Sequence, residues 1–143
     1  MTSNSDFSYQ IFSSKNAAAI FPILLNVKNW WTGVFDEIIE GDSSNIGDEF
    51  TFSAGDGAHF SRQKLIEKID GKKITWQVIE SQLSFLKNKN EWDNTTISFD
   101  LEAIENGTKI TFSHKGLTPK IECYANCSSA WMQYLKNLNL LLK

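Results

Sequence analysis

Apolar and polar residues alternate near the start of the chain, and the spacing then becomes helical. Phe7, Tyr9 and Ile11 are separated by polar residues, which predicts a first strand with one buried face. Ser13 and Ser14 can cap a helix that runs from Lys15 to about Leu25, and Pro22 is expected to kink or split it. The stretch from residue 26 to Gly33 predicts a second short helix that ends at the glycine. Two short helices are therefore expected after the first strand.

Residues 34 to 114 have strand character throughout, interrupted by turn-forming sequences. Asp70-Gly71 and Asn106-Gly107 are the strongest hairpin signals, because both dipeptides favour two-residue turns. Strands at this spacing, with no helix between them, predict a meandering antiparallel sheet. The predicted strands are Val34–Glu40, Asp48–Ser53, His59–Ile69, Ile74–Ser81, Thr95–Ala103 and Thr108–His114.

The segment after Pro119 changes to helical spacing and predicts one long terminal helix. Its apolar residues recur every three or four positions, as on one face of a helix. They are Ile121, Tyr124, Cys127, Trp131, Leu135, Leu138 and Leu142. The order of elements predicts an α+β fold of one domain over residues 1–143, in which a sheet of six to seven strands packs on this helix.

Strand parity identifies the side chains that face the terminal helix. In the strand ending at His114, the residues Ile110, Phe112 and His114 share one face. Large rings on one face of a sheet, with a few polar groups among them, favour a pocket for a small apolar or amphipathic molecule. The predicted pocket residues are Phe50, Phe52, Trp76, Trp92, Phe112, His114, Tyr124 and Trp131. Trp30 and Trp31 are expected to cap the two short helices.

Charge and composition exclude several other classes. The net charge is −3, and Arg62 is the only arginine, so a nucleic-acid partner is not expected. The longest apolar runs are too short to span a membrane. The N-terminus lacks the basic and apolar segments of a secretory signal, which predicts a cytoplasmic protein whose two cysteines are reduced.

His114 and the two cysteines are the candidates for chemistry. His114 has three readings: a structural histidine, a polar anchor for a ligand, and a general base. Cys123 and Cys127 lie on one helix face, but zinc needs three or four ligands and only the two histidines could complete the set. We therefore predict no metal, no cofactor and no assigned catalytic residue.

Three segments of the sequence carry a resemblance to a known family. They are Glu91-Trp92, the run from Gly107 to Pro119 (GTKITFSHKGLTP), and the helix pattern Glu122-Cys123-Tyr124…Cys127…Trp131…Tyr134-Leu135…Leu138. The chain resembles the family homologous to the activator of Hsp90 ATPase, within the START-like helix-grip (Bet v 1-like) superfamily. The resemblance implies a curved antiparallel sheet that grips the C-terminal helix, with a cavity between them.

The resemblance also implies what such a cavity does. Relatives with this fold bind lipids, sterols, polyketides or hormones, and some are cyclases or aromatase-type enzymes. The first expectation is thus a non-catalytic binding protein for a small apolar or amphipathic molecule, present as a monomer or weak homodimer. The alternatives are a cyclase- or hydrolase-type enzyme that uses His114 and Tyr124, and a chaperone-associated interaction module with an exposed patch near Leu83–Leu86.

Overall fold

The computed structural model describes residues 6–143 as a seven-stranded antiparallel sheet that curves around one long helix. The elements are β1 (Phe7–Ser13), α1 (Ala17–Leu25), a 3₁₀ turn (Val27–Asn29), β2 (Ile38–Gly41), β3 (Glu49–Ala54), β4 (His59–Ile69), β5 (Lys73–Leu83), β6 (Thr96–Ile104), β7 (Gly107–Lys115) and α2 (Tyr124–Leu141). Within these residues, no helix is both long enough and apolar enough to cross a membrane.

The strand order is β1-β7-β6-β5-β4-β3-β2, and every neighbouring pair is antiparallel. The chain therefore meanders from β2 to β7, and β1 pairs with the last strand. Because β1 and β2 lie at opposite edges, α1 and the 3₁₀ turn carry the chain from one edge to the other. This crossing brings residues 30 and 31 between the sheet and α2.

The hairpin between β6 and β7 forms where the Asn106-Gly107 signal predicted it. Ile104 pairs with Gly107, and Asn106 has a φ of 66°, a left-handed conformation that asparagine tolerates well. A side chain at Gly107 would collide with the backbone oxygen of Ser13, so the close approach of β1 also requires glycine here.

Two irregularities in the pairing of β4 with β5 accompany the curvature of the sheet. The register shifts between Arg62 and Gln63, and again between Leu65 and Glu67. Such bulges bend a strand and increase its twist. The curved inner face covers the buried side of α2, which consists of Cys127, Trp131, Tyr134, Leu135 and Leu138.

Four local predictions differ from the structure. The first helix begins at Ala17 rather than Lys15 and is continuous through Pro22, because Asn16, and not Ser13 or Ser14, accepts a backbone N–H of the first turn. The predicted second helix is a single 3₁₀ turn. Residues 34–37 form a loop, so the strand predicted at 34–40 begins at Ile38. The terminal helix begins at Tyr124 rather than just after Pro119, because the preceding residues form turns in which Ile121 N–H bonds to the Thr118 carbonyl and Tyr124 N–H to the Ile121 carbonyl. The Glu91 carboxylate accepts the backbone N–H groups of Glu122 and Cys123 in these turns, both at 3.0 Å. Glu91 belongs to a distant loop, so the sequence pattern gives no sign of this contact.

Candidate functional site

Aromatic rings fill most of the space between the sheet and α2. Trp31 stacks on Phe52 with ring centroids 4.4 Å apart and lies 4.9 Å from Trp131. Trp30 packs edge-to-face on Phe99 at 5.2 Å and donates its indole N–H to the Leu24 carbonyl at 3.1 Å. As predicted, the two residues cap the end of the short helical segment, because the backbone N–H groups of Trp30 and Trp31 both donate to the Val27 carbonyl. Both rings are also buried in the core, which the sequence pattern did not indicate.

One pocket of about 370 Å³ opens at the end of this aromatic layer, beside the N-terminal half of α2. Its polar wall residues on α2 are Asn126, Ser129 and Gln133, and the small residues Ala54, Gly55 and Ala58 form another side. Phe35 and Phe85 stand at its rim with 42% and 47% of their surface exposed. The rings that line it are Trp31, Phe35, Phe52, His59, Phe85, Trp92, Trp131 and Tyr134.

The structure brings three of the eight predicted pocket residues to this wall, namely Phe52, Trp92 and Trp131. Four others are buried away from the pocket in the core, where they pack against neighbouring rings: Phe50, Trp76, Phe112 and His114. Tyr124 is half-buried in the first turn of α2 and does not line the pocket. Parity identified the inner face of the sheet, but the position of the open space depends on Trp30 and Trp31.

His114 belongs to a chain of hydrogen bonds that lies entirely inside the protein. The Trp131 indole N–H donates to His114 Nδ1 at 3.0 Å, so the ring proton must lie on Nε2. Nε2 is 2.9 Å from Thr95 Oγ1, and that hydroxyl donates to the Trp92 carbonyl at 2.6 Å. Burial, with a smaller effect of the nearby His59, lowers the pKa of His114 to about 3. The ring is therefore neutral, and both nitrogens are used within the protein.

This geometry argues against His114 as a general base or as a polar anchor for a ligand. A general base needs an accessible lone pair within reach of a substrate proton. The lone pair of Nδ1 is occupied by Trp131, and the ring is completely buried. The arrangement is that of a structural histidine, which orients Trp131 and Thr95 around it.

His59 is the histidine that lines the pocket. Its ring meets Trp92 edge-to-face at 4.5 Å and Phe52 at 5.2 Å. Within the described part of the chain, His59 Nε2 and Trp92 Nε1 are buried and have no hydrogen-bond partner. Burial lowers the pKa of His59 to about 4, so its ring is neutral at neutral pH. The sequence considered His59 only as a fourth zinc ligand, because the polar start of β4 hides its strand parity.

Glu37 closes the loop beside the pocket. Its carboxylate accepts the backbone N–H groups of Gly33 and Phe35 at 2.7 Å and of Val34 at 3.2 Å, and the Tyr134 hydroxyl donates to the same group. Burial alone would raise the pKa of Glu37, but the bonds from Tyr134 and the backbone outweigh it, and the pKa is lowered. Burial, together with Glu37, raises the pKa of Tyr134. The loop carrying Phe35 is thereby tied to α2.

Cys123 and Cys127 are joined in a disulfide, with their Cα atoms 5.5 Å apart. The sequence predicted reduced thiols, and this pairing corrects that prediction. Cys127 lines the pocket, which places the bridge at its wall.

The pocket wall contains no Asp, Glu, Lys or Arg among residues 6–143. An acid–base pair needs two titratable groups held near one substrate. The titratable side chains of the wall are His59, which has no carboxylate partner, and Tyr134, whose hydroxyl donates a hydrogen bond to Glu37. Both titratable side chains are neutral near pH 7, since burial lowers the pKa of His59 and raises that of Tyr134.

Comparison with known proteins identifies the family and the fold. The family described as "Activator of Hsp90 ATPase homolog 1-like protein" matches residues 25–143. None of the curated proteins compared with the chain matches it. The chain belongs to this family, as the sequence motifs predicted.

Three solved structures illustrate how widely the fold is shared. The Aha1 dimer from Colwellia psychrerythraea is 23% identical over 96% of this chain and 95% of its own, with a TM-score of 0.71. Protein CV1439 from Chromobacterium violaceum is 17% identical over 95% of both chains, with a TM-score of 0.72. Protein MLL2253 from Mesorhizobium loti is 16% identical over 95% of both chains, with a TM-score of 0.71. The curved sheet on a C-terminal helix is thus the helix-grip fold that the sequence predicted.

Proposed function

We propose that the protein binds a small apolar or amphipathic molecule in the pocket beside α2. The observation that carries this proposal is the pocket itself, which has a volume of about 370 Å³ and a wall of aromatic rings. Ligand pockets of this size, with apolar walls and few polar groups, are typical of small-molecule sites. Membership of a family whose fold serves as a ligand-binding or interaction module supports the same reading.

The exposed rim gives a ligand a way in. Phe35 and Phe85 are large apolar residues that remain substantially exposed next to the opening. Covering their exposed surface with a ligand would contribute about 25 cal/mol of favourable binding free energy for each Å² of apolar surface removed from water. The deeper cavity expected from the family resemblance is occupied in this chain by Trp30 and Trp31, so the ligand would be smaller than a sterol.

A chaperone-type partner is less well supported. That reading predicted a contiguous apolar patch near Leu83–Leu86. Leu83 and Leu86 are buried, and Phe85 is the one apolar residue of that segment that is exposed. A single ring at a pocket mouth does not make a docking patch. The Colwellia relative is a dimer; for this chain a monomer or weak homodimer remains our expectation, which sedimentation can test.

Binding of 2-acetylnaphthalene, measured by calorimetry and by quenching of tryptophan fluorescence, tests the proposal. Ala130 lies on α2 and lines the pocket, so Ala130→Trp should fill the space and abolish binding. Ala18→Trp makes the same change at an exposed position of α1 and should leave binding unchanged. Equal affinities in the two variants would refute the pocket as the site.

A further inference from the structure

Unpartnered polar atoms lie in the pocket wall. His59 Nε2 and Trp92 Nε1 belong to rings that meet at 4.5 Å, and neither atom has a partner within residues 6–143. Buried nitrogens in native proteins nearly always have partners, so each exception calls for an explanation. By contrast, the indole N–H groups of Trp30, Trp76 and Trp131 all have acceptors inside the protein.

The same face of β4 continues this polar character behind the pocket. Ser61 Oγ and both amide atoms of Gln63 are buried without a partner in the described chain. Their cross-strand neighbours include Phe52 and Phe50, so the surroundings are otherwise apolar. Leaving a buried polar group without a hydrogen bond costs about 1–3 kcal/mol. An apolar core alone would not favour His59, Ser61 and Gln63 in succession along one strand face.

The charge of the wall restricts the ligand further. Trp92 Nε1 can only donate a hydrogen bond. The His59 ring is neutral near pH 7, because burial lowers its pKa to about 4. The wall supplies no Lys or Arg to balance an anion and no carboxylate to balance a cation among the described residues. An ionised ligand group would lose its hydration here without gaining a counter-charge.

We infer that the pocket selects uncharged molecules whose aromatic or alkyl body carries a hydrogen-bond acceptor, such as a ketone oxygen, that receives the Trp92 indole N–H beside His59. This inference rests on the proposed function and specifies its ligand class. Both nitrogens are covered in the structure, so the acceptor reaches them by shifting one of the two rings. Ligand binding is then coupled to a movement at the contact between His59 and Trp92.

Three naphthalenes of similar shape test the inference. They are 2-acetylnaphthalene, which has a neutral acceptor, 2-ethylnaphthalene, which has none, and 2-naphthoate, which is charged at pH 7. We expect the ketone to bind about tenfold more tightly than the ethyl compound, and 2-naphthoate to bind more weakly than the ketone. In ¹⁵N-resolved NMR spectra, the Trp92 indole N–H signal should shift downfield with the ketone only.

Trp92→Phe keeps an aromatic ring and removes the N–H. In this variant the preference for the ketone over the ethyl compound should fall to about twofold or less. Phe85→Leu is the matched control: it shortens an apolar rim residue, so it should weaken the neutral ketone and ethyl probes alike and preserve the ratio between them. Ketone binding should also be constant from pH 6 to 8, because His59 does not titrate there.

The outcomes separate this inference from the proposed function. If the ketone and ethyl probes bind wild type equally well and Ala130→Trp blocks both, the pocket binds ligands, but the inferred preference for a hydrogen-bond acceptor is wrong. If 2-naphthoate binds as tightly as the ketone, the preference for uncharged ligands is wrong. If no probe binds, the proposed function and the inference fail together.

Discussion

His59 and His114 lie on the inner face of the same sheet, and each packs edge-to-face against Trp92, at 4.5 and 4.6 Å. They differ in their hydrogen bonds. His114 has a partner at each ring nitrogen, whereas Nε2 of His59 has none within residues 6–143. One histidine completes the core, and the other faces the pocket. Burial of a histidine is therefore a poor guide to its role, and the inventory of its partners is a better one.

The largest expected effect concerns what the two histidines share, which is a neutral ring in the folded protein. Their pKa values are lowered to about 4 and about 3, whereas an unfolded histidine has a pKa of about 6.5. As the pH falls from 6.5 to 4.5, the unfolded chain binds more protons than the folded chain, so the free energy of unfolding decreases. We expect a loss of about 4 kcal/mol, roughly half from each histidine.

Urea unfolding at pH 7.5, 5.5 and 4.5, followed by tryptophan fluorescence, measures this loss. His59→Leu removes one of the two titrating groups, so its stability should depend on pH about half as steeply over this range. A free energy of unfolding that stays constant from pH 7 to pH 5 would show that the two rings are not buried as neutral groups.

The second effect separates the two histidines at constant pH. His114→Leu leaves the Trp131 N–H buried without its acceptor, so we expect a loss of about 2–3 kcal/mol at pH 7.5. His59→Leu breaks no hydrogen bond to Nε2 and should change the stability by less than about 1 kcal/mol. Urea unfolding of both variants gives the comparison directly.

A double variant tests the cause of the His114 effect. Trp131→Phe removes the donor, so His114→Leu should cost less in that background than in wild type, because no N–H remains unpartnered. If the two changes are additive, the cost of His114→Leu comes from packing rather than from the hydrogen bond. The difference between the two histidines would then not lie in their hydrogen bonds.

The sequence predicted the fold because its determinants are local. Alternation along β7 placed Ile110, Phe112 and His114 on one face, and all three are fully buried. The Asn106-Gly107 turn and the helical spacing around Trp131 and Leu135 depend on residues close in the chain. These patterns indicate which way a side chain points, and the sheet and helix follow from that information.

The site could not be predicted in the same way, because it depends on contacts between distant residues. Whether the space under the helix is open depends on how deep Trp30 and Trp31 enter it, and this follows from the crossing of the chain between β1 and β2. Tyr134 was part of the helix motif, but its partner Glu37 lies 97 residues away in a loop that was predicted as a strand. His59 was obscured because Ser61 and Gln63 give β4 no apolar alternation.

The smallest expected effect concerns the Glu37 carboxylate in the loop at the pocket rim, where water can replace a lost hydrogen-bond partner. Tyr134→Phe removes the hydroxyl that donates to Glu37, but the carboxylate keeps the N–H groups of Gly33, Val34 and Phe35. We expect a loss of about 1 kcal/mol at pH 7.5, less than for His114→Leu.

In a Glu37→Gln background the same change should cost about half as much or less, because the charged acceptor is absent. Urea unfolding of the four proteins gives the coupling free energy. A value as large as that between His114 and Trp131 would contradict the view that the pocket rim, unlike the core, tolerates the loss of a partner.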